Sequence, residues 1–171
     1  HLSIRRQRQM CIRDSFGAAF YIWNRLLNGK RGFVQEHAYW GCEASDADVV
    51  EAADRLGVPT ASYCEDQLLD IVVDLLLDGK VVGWFQGPME FGARALGNRS
   101  LLADPRRTDM RDIINLRIKF REKFRPFAPS ILEEHVGAWF AVDEPTPYME
   151  KVFPIRPEKQ NQIPAVTHVD G

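Results

Sequence analysis

Apolar positions along the chain switch between helical and strand-like spacing, and the switch points carry turn chemistry. Residues 16–27, FGAAFYIWNRLL, place small and apolar side chains at helical intervals and stop at Asn28-Gly29, which predicts a helix with a glycine cap. Residues 30–42 have no period and contain Gly32, His37 and Gly41, the pattern of a linker. Ser45 with Asp48 three positions later reads as a capping box, predicting a helix to Gly57; a second helix is expected over 65–78, closed by Gly79. Lys80 leads into VVGWF, a buried-type strand, and 100–103 reads as a second short strand ended by Asp104-Pro105. A helix beginning at Thr108 is expected to turn Met110, Ile113, Ile114 and Leu116 inward. Further strands are predicted at 130–132, 149–155 and 165–169. Strands with helices between them, without repeats or low-complexity tracts, give a mixed α/β class.

A chain of 171 residues that is 45% hydrophobic can bury the core of one ordinary domain. Its net charge of −2 and pI near 6.1 give no general attraction to nucleic acid or anionic membrane, so any anion site must be local. The most apolar run, 68–77, is interrupted by Asp70 and Asp74 and falls far short of the about 20 residues that span a bilayer. Cys11, Cys42 and Cys64 have neither metal-ligand spacing nor an even count, which points to free thiols in a reducing, cytoplasmic setting. Residues 5–15, RRQRQMCIRDS, read as a translated sequencing adapter, with a genuine basic arm as the alternative; 1–15 are therefore set aside from fold reasoning, and Asp14 with them.

Charge is segregated. Residues 43–79 hold ten carboxylates against Arg55 alone, which suits solvated helix faces and would repel phosphate. Residues 104–125 hold eight basic and four acidic side chains. Within this stretch Lys119, Arg121, Lys123 and Arg125 alternate with Phe120, Glu122 and Phe124, so an extended backbone would put the four cations on one face. In a helix they would pair at i,i+4 instead; Pro126 and Pro129 tilt the expectation towards a strand edge or loop. A cationic fork around phosphate oxygens and a solvated basic edge that discourages strand pairing both fit this spacing. Upstream, QGPMEFGARALGNRS combines Gly87, Gly92 and Gly97, which permit close backbone approach, with donors from Arg94, Asn98, Arg99 and Ser100. Glu90 could orient Arg94, assist a metal ion or form a structural salt bridge. Neither a Walker loop nor G-x-G-x-x-G occurs. His168 and Asp170, two apart, would share one side of a strand, as an acid–base pair or as a hydrogen-bonded edge. His37 and His135 lack clustered partners, and Trp84, Trp139 and Phe140 read as core.

The strings EFGARALGNRSLLADPR, KFREKFRPFAPSILEE and IPAVTHVDG, in this order, resemble the C-terminal domain of the O-carbamoyltransferases of nodulation-factor and antibiotic biosynthesis, nearly end to end over 81–171. The resemblance implies a YrdC-like open, twisted mixed α/β sheet with flanking helices over 43–171, and makes 16–42 the terminal helix of an actin-like domain plus a linker. It implies that carbamoyl phosphate and ATP yield a carbamoyl-adenylate here, with Mg²⁺ accompanying the nucleotide. The N-terminal domain, where iron or another metal is expected, would then pass the carbamoyl group to an acceptor hydroxyl. Lys119, Arg121 and His168 become the expected catalytic residues, and Arg94, Asn98, Arg99, Ser100 and Arg125 the expected substrate and nucleotide contacts, with no metal ligand among them. Neither nucleic acid nor membrane is an expected partner, and the chain taken alone is expected to be truncated and inactive in complete transfer. Pro88 and Ala93 stand where the family usually has arginine and proline, which removes one anion contact. The competing readings are a threonylcarbamoyl-adenylate enzyme of transfer-RNA modification and a noncatalytic RNA-binding module with Phe120 and Phe124 as stacking groups.

Overall fold

The computed structural model describes residues 15–171, so the adapter-like stretch other than Ser15, with Cys11 and Asp14, lies outside the described residues. Residues 15–21 form helix α1, which opens into a wide turn over Ile22–Leu26 closed by Leu27 N–H on the Ile22 carbonyl. At its end it is Asn28, not Gly29, that takes the left-handed backbone (φ 52°). Gly29 is required for another reason: a Cβ there would collide with the Trp23 indole.

Helix α2 (Asp46–Leu56) begins as its sequence predicts. Ser45 Oγ accepts from Asp48 N–H, and Asp48 Oδ2 accepts from Ser45 N–H at 2.8 Å, while Gly57 caps the far end at φ 65°. Helix α3 (Glu65–Leu77) follows and ends at Gly79, where a left-handed φ of 75° turns the chain into the sheet. Of its apolar side chains only Val72 is buried, so the acidic half of the chain contributes little core.

Strands β1 (Val82–Phe85) and β2 (Arg99–Leu102) pair antiparallel, Val82 with Leu102 and Phe85 with Arg99. They form a two-stranded sheet, and residues 86–98 become the excursion that joins them. Helix α4 (Met110–Ile113) packs Met110, 1% exposed, and Ile114 against Ala165, Val81, Ala103, Ile113 and Phe127. A second wide turn, Ile114–Ile118, closes with Lys119 N–H on the Ile114 carbonyl. That extra residue per turn slips the helical phase. Leu116, expected inward, is therefore exposed, and Asn115 takes the buried position.

Beyond Pro126 the strands expected at 130–132, 149–155 and 165–169 do not form among the described residues. Residues 133–139 coil instead into a 3₁₀ turn and helix α5 (Val136–Trp139). Residues 149–155 contribute one isolated antiparallel bridge, Ile155 to Phe140, and helix α6 (Pro157–Gln160) follows. Residues 163–167 run as turns whose Ala165 N–H bonds the Pro105 carbonyl and docks beside Met110. The prolines at 126, 129, 145, 147, 154, 157 and 164 remove the donors a ladder would need. The class is α/β, with a hairpin as its sheet.

Because the core is small, Met110 dominates it. Met110→Ala is expected to cost about 2–5 kcal/mol, read as a lower urea midpoint at unchanged slope, whereas Leu116→Ala should shift the midpoint little.

Candidate anion-binding site

The hairpin excursion is shaped around one carboxylate. Glu90, 5% exposed, points its Oε1 at three successive donors of the returning chain: the N–H groups of Leu96 at 2.6 Å, Asn98 at 2.8 Å and Arg99 at 3.2 Å. Desolvation pushes this carboxyl upward, but the N–H groups of Leu96, Asn98 and Arg99 and its own outweigh that and hold it below the ordinary glutamate value. Of the three sequence roles offered for Glu90, none is the observed one: it makes no ion pair with Arg94 and instead templates the backbone. Glycines at 92 (φ 136°) and 97 (φ 119°) supply the backbone reversals that let the loop curl around it.

The neighbouring polar side chains close the same loop. Asn98 donates to the Pro88 carbonyl at 2.7 Å and accepts from Gln86 at 3.0 Å. Ser100 Oγ accepts from Gly97 N–H. The Arg99 guanidinium lies over the Phe85 ring, its cross-strand neighbour, at 3.4 Å and donates to the carbonyls of Gln86, Asn98 and Gly87. A strap from the linker supports the outside: Phe91 N–H bonds the Ala38 carbonyl, Gly41 N–H the Met89 carbonyl, and Tyr39 OH the Leu96 carbonyl at 2.7 Å. Thus Asn98, Arg99 and Ser100 build the loop, while Arg94 leaves it exposed and makes no hydrogen bond or ion pair among the described residues.

In the basic segment the four acids each take one cation. Asp104 holds Arg106 at 2.7 Å, Asp109 holds Arg107 at 2.9 Å, Asp112 holds Lys123 at 3.3 Å and Glu122 holds Arg125 at 2.7 Å. The surplus positive charge therefore resides on Arg111, Arg117, Lys119 and Arg121. Lys119 is exposed and carries no partner among the described residues. Residues 119–125 are a loop, so the four alternating cations do not share one extended face; Phe120, in left-handed backbone at φ 48°, breaks the alternation.

That loop is wound on Asn115, which is wholly buried. Its Nδ2 donates to the carbonyls of Arg125 at 2.9 Å and Lys123 at 3.3 Å, and its Oδ1 accepts from Arg121 Nε at 2.6 Å. Asn115 was not singled out in the sequence, although a polar side chain between Ile114 and Leu116 on the inner phase of a helix was the available signal. Arg121 also packs over Phe127 at 4.8 Å, and its two terminal nitrogens have no acceptor among the described residues. Burial first, then the charges of Arg125 and Arg94, depress its pKa, with Glu122 opposing them. The charge of Arg94, on the glycine loop, is thus felt at Arg121, on the basic loop.

His168 does not join them through any contact among the described residues. It is exposed in the last turn, closed by Gly171 N–H on its carbonyl, and the strand that would have aligned it with Asp170 is absent. Arg94 also lines a cavity of about 230 Å³ with Phe91, Leu96, Tyr148 and Glu150. A larger hollow of about 510 Å³ is walled by Glu133, Glu134, Asp143 and Glu144 and is wrong in sign for an anion. Among the described residues no three His, Cys, Asp or Glu converge as metal ligands. With Glu90 and Glu122 already engaged, the donor set at the two loops does not fit a protein-held Mg²⁺. Cys42 and Cys64 are free and exposed, and no helix among the described residues is long and apolar enough to cross a membrane.

Since the folded pKa of Glu90 lies below its ordinary 4.5, its stabilisation is present above that pH and is lost as pH falls through the folded value. Glu90→Gln keeps an acceptor but turns an NH₂ group towards N–H donors. It should lower stability at pH 7 by about 1–3 kcal/mol and flatten the acid limb in denaturation curves measured from pH 7 downward.

The carbamoyltransferase C-terminus family profile matches residues 73–171. Nodulation protein NolO of Bradyrhizobium diazoefficiens is 48% identical over 92% of this chain and 29% of its own length. Nodulation protein NolNO of Sinorhizobium fredii is 42% identical over 92% of this chain and 24% of its own. An uncharacterized protein of Synechocystis sp. is 39% identical over 92% of this chain and 30% of its own. The chain spans about a quarter to a third of the length of these relatives. With that profile covering more than half of its length, the chain belongs to the carbamoyltransferase C-terminus family.

Proposed function

We propose that this domain forms carbamoyl-adenylate from carbamoyl phosphate and ATP, for transfer of the carbamoyl group to an acceptor hydroxyl by the remainder of a longer protein. The observation that carries the reading is Arg121: a half-buried cation in the field of Arg125, Glu122 and Arg94, with no carboxylate in ion-pair contact and its terminal nitrogens open among the described residues. Such a group is costly unless an anion completes it. Water cleaves carbamoyl phosphate to carbamate and phosphate, and the carbamate oxygen then displaces pyrophosphate from the α-phosphorus of ATP; both steps gather charge on oxygens, and catalysis of that kind rests on positioning and charge neutralisation.

In this reading Arg121 grips phosphate oxygens through its two terminal nitrogens, Lys119 acts as a mobile point charge, and Arg94 approaches from the glycine loop. Asn98, Arg99 and Ser100 serve by holding that loop, and Arg125, paired to Glu122, contributes field rather than a free fork. His168 is kept as an acid–base group on the family resemblance. Mg²⁺ would arrive on the nucleotide phosphates, since these residues offer it no carboxylate cage. A YrdC-like open sheet and an actin-like origin for 16–42 belong to the same proposal, with the β1–β2 hairpin as part of that sheet. Cytoplasmic location belongs to it too.

In a full-length protein carrying this sequence, Lys119→Ala and Arg121→Ala should each reduce carbamoyl-phosphate-dependent ATP–pyrophosphate exchange at least 100-fold, and Arg125→Ala less. Wild-type exchange in the first two variants would overturn the assignment. Exchange that requires bicarbonate and threonine instead would move the chain to threonylcarbamoyl-adenylate chemistry. Phe120 and Phe124, both about four-fifths exposed, are the observation favouring a stacking role on single-stranded RNA; salt-dependent RNA binding without ATP binding would favour that reading.

A further inference from the structure

We infer that Asn115 is the positioning residue for Arg121, fixing which edge of the guanidinium an anion meets. The inference rests on the phosphate-gripping reading of Arg121 and adds to it a residue that touches no ligand itself.

A free arginine can present either its terminal pair or its Nε edge to an oxyanion, and its long stem lets it do so from many directions. Asn115 removes that freedom. Its Oδ1, 2.6 Å from Arg121 Nε, occupies the Nε edge, while Arg121 N–H bonds the Asn115 carbonyl at 2.9 Å, so backbone and side chain of one residue are both tied to the other. The ring of Phe127 covers one face of the guanidinium. What remains open is the edge carrying the two terminal nitrogens.

The amide is suited to this in a way that a carboxylate or hydroxyl is not. Asn115 must accept from one cation and donate to two carbonyls, those of Lys123 and Arg125, at the same time. An aspartate would keep the bond to Nε but neutralise the cation it orients and repel both carbonyls. An alanine would leave two carbonyls and one guanidinium nitrogen unpaired. Neutrality matters as much as shape, because Arg121 without a carboxylate keeps its full charge for the ligand.

A double-substitution cycle in a full-length protein carrying this sequence tests the coupling, with binding of inorganic pyrophosphate followed by calorimetry and folding followed by thermal melting. Asn115→Asp is expected to weaken pyrophosphate binding at least tenfold while the protein stays folded at the assay temperature. Combined with Arg121→Ala it should be no worse than Arg121→Ala alone, within about twofold, because both act through the same contact. Arg121→Lys provides a variant that leaves the buried amide intact. One ammonium cannot both satisfy Asn115 and present a two-pronged edge, so it should also lose at least tenfold. Wild-type binding by Asn115→Asp, effects that multiply in the double variant, or full retention in Arg121→Lys would each overturn the positioning role. Unchanged binding in Arg121→Ala would instead overturn the phosphate reading itself, so the two failures are distinguishable.

Discussion

A buried amide has four hydrogen-bonding valences and no water to complete them, and this constraint governs the cationic surface. Asn115 reaches its buried position through the wide turn at Ile114–Ile118, and once there it must find partners. The partners available are the carbonyls of residues 123 and 125 and the guanidinium of Arg121. The loop is wound accordingly, and the left-handed backbone of Phe120 follows from that winding. Glu90 plays the matching part in the hairpin excursion, with the polarity reversed: there a buried acceptor gathers N–H donors from three residues of the returning strand. Each loop is wound around a buried polar side chain, one an acceptor of backbone hydrogens and the other chiefly a donor to backbone carbonyls, with the buried Asn98 adding to the first.

The two templates have different electrostatic consequences. Glu90 is ionised but faces only main-chain donors, so its charge is absorbed by the loop and none of the nearby arginines is neutralised by it. Asn115 is neutral and orients a cation without cancelling it. Asn115 holds Arg121 at its Nε, and among the described residues the tips of Arg94 and Arg121 are unpaired. The pairing of Asp104, Asp109, Asp112 and Glu122 with Arg106, Arg107, Lys123 and Arg125 completes the picture, since it removes from consideration half of the basic side chains in 104–125.

Much of this was legible in the sequence where a local rule decides the outcome. The capping box at Ser45, the glycine stop at Gly57, the strands around Trp84 and Leu101 and the inward Met110 follow from short-range chemistry, and the structure has them all. The excess of charge in 104–125 was also readable. What the pattern could not supply was the partition of that charge, because pairing depends on which side chains a loop brings within about 4 Å. Asn115 was hidden for a related reason: a helical wheel with 3.6 residues per turn puts Leu116 on the inner face, and only the wide turn exchanges the two. The strands expected at 130–132, 149–155 and 165–169 were read from apolar runs alone. Apolar runs do not secure a ladder where proline removes the donors.

A partly desolvated cation without an ion-pair partner among the described residues, as Arg121 is, lowers the stability of the fold that holds it. The charges of Arg125 and Arg94 add to that cost, and among the described residues Arg125 is the one of the three with a carboxylate within contact. On the proposed reading, keeping these cations unpaired lowers stability and favours a ligand that carries negative charge on several oxygens. Anion binding should in turn stabilise the folded state by mass action, and the loops that gain most from it are those whose internal hydrogen bonds already hold them in the bound geometry. Preformed loops of this kind need little reorganisation when the anion arrives, so the interaction energy goes into binding rather than ordering.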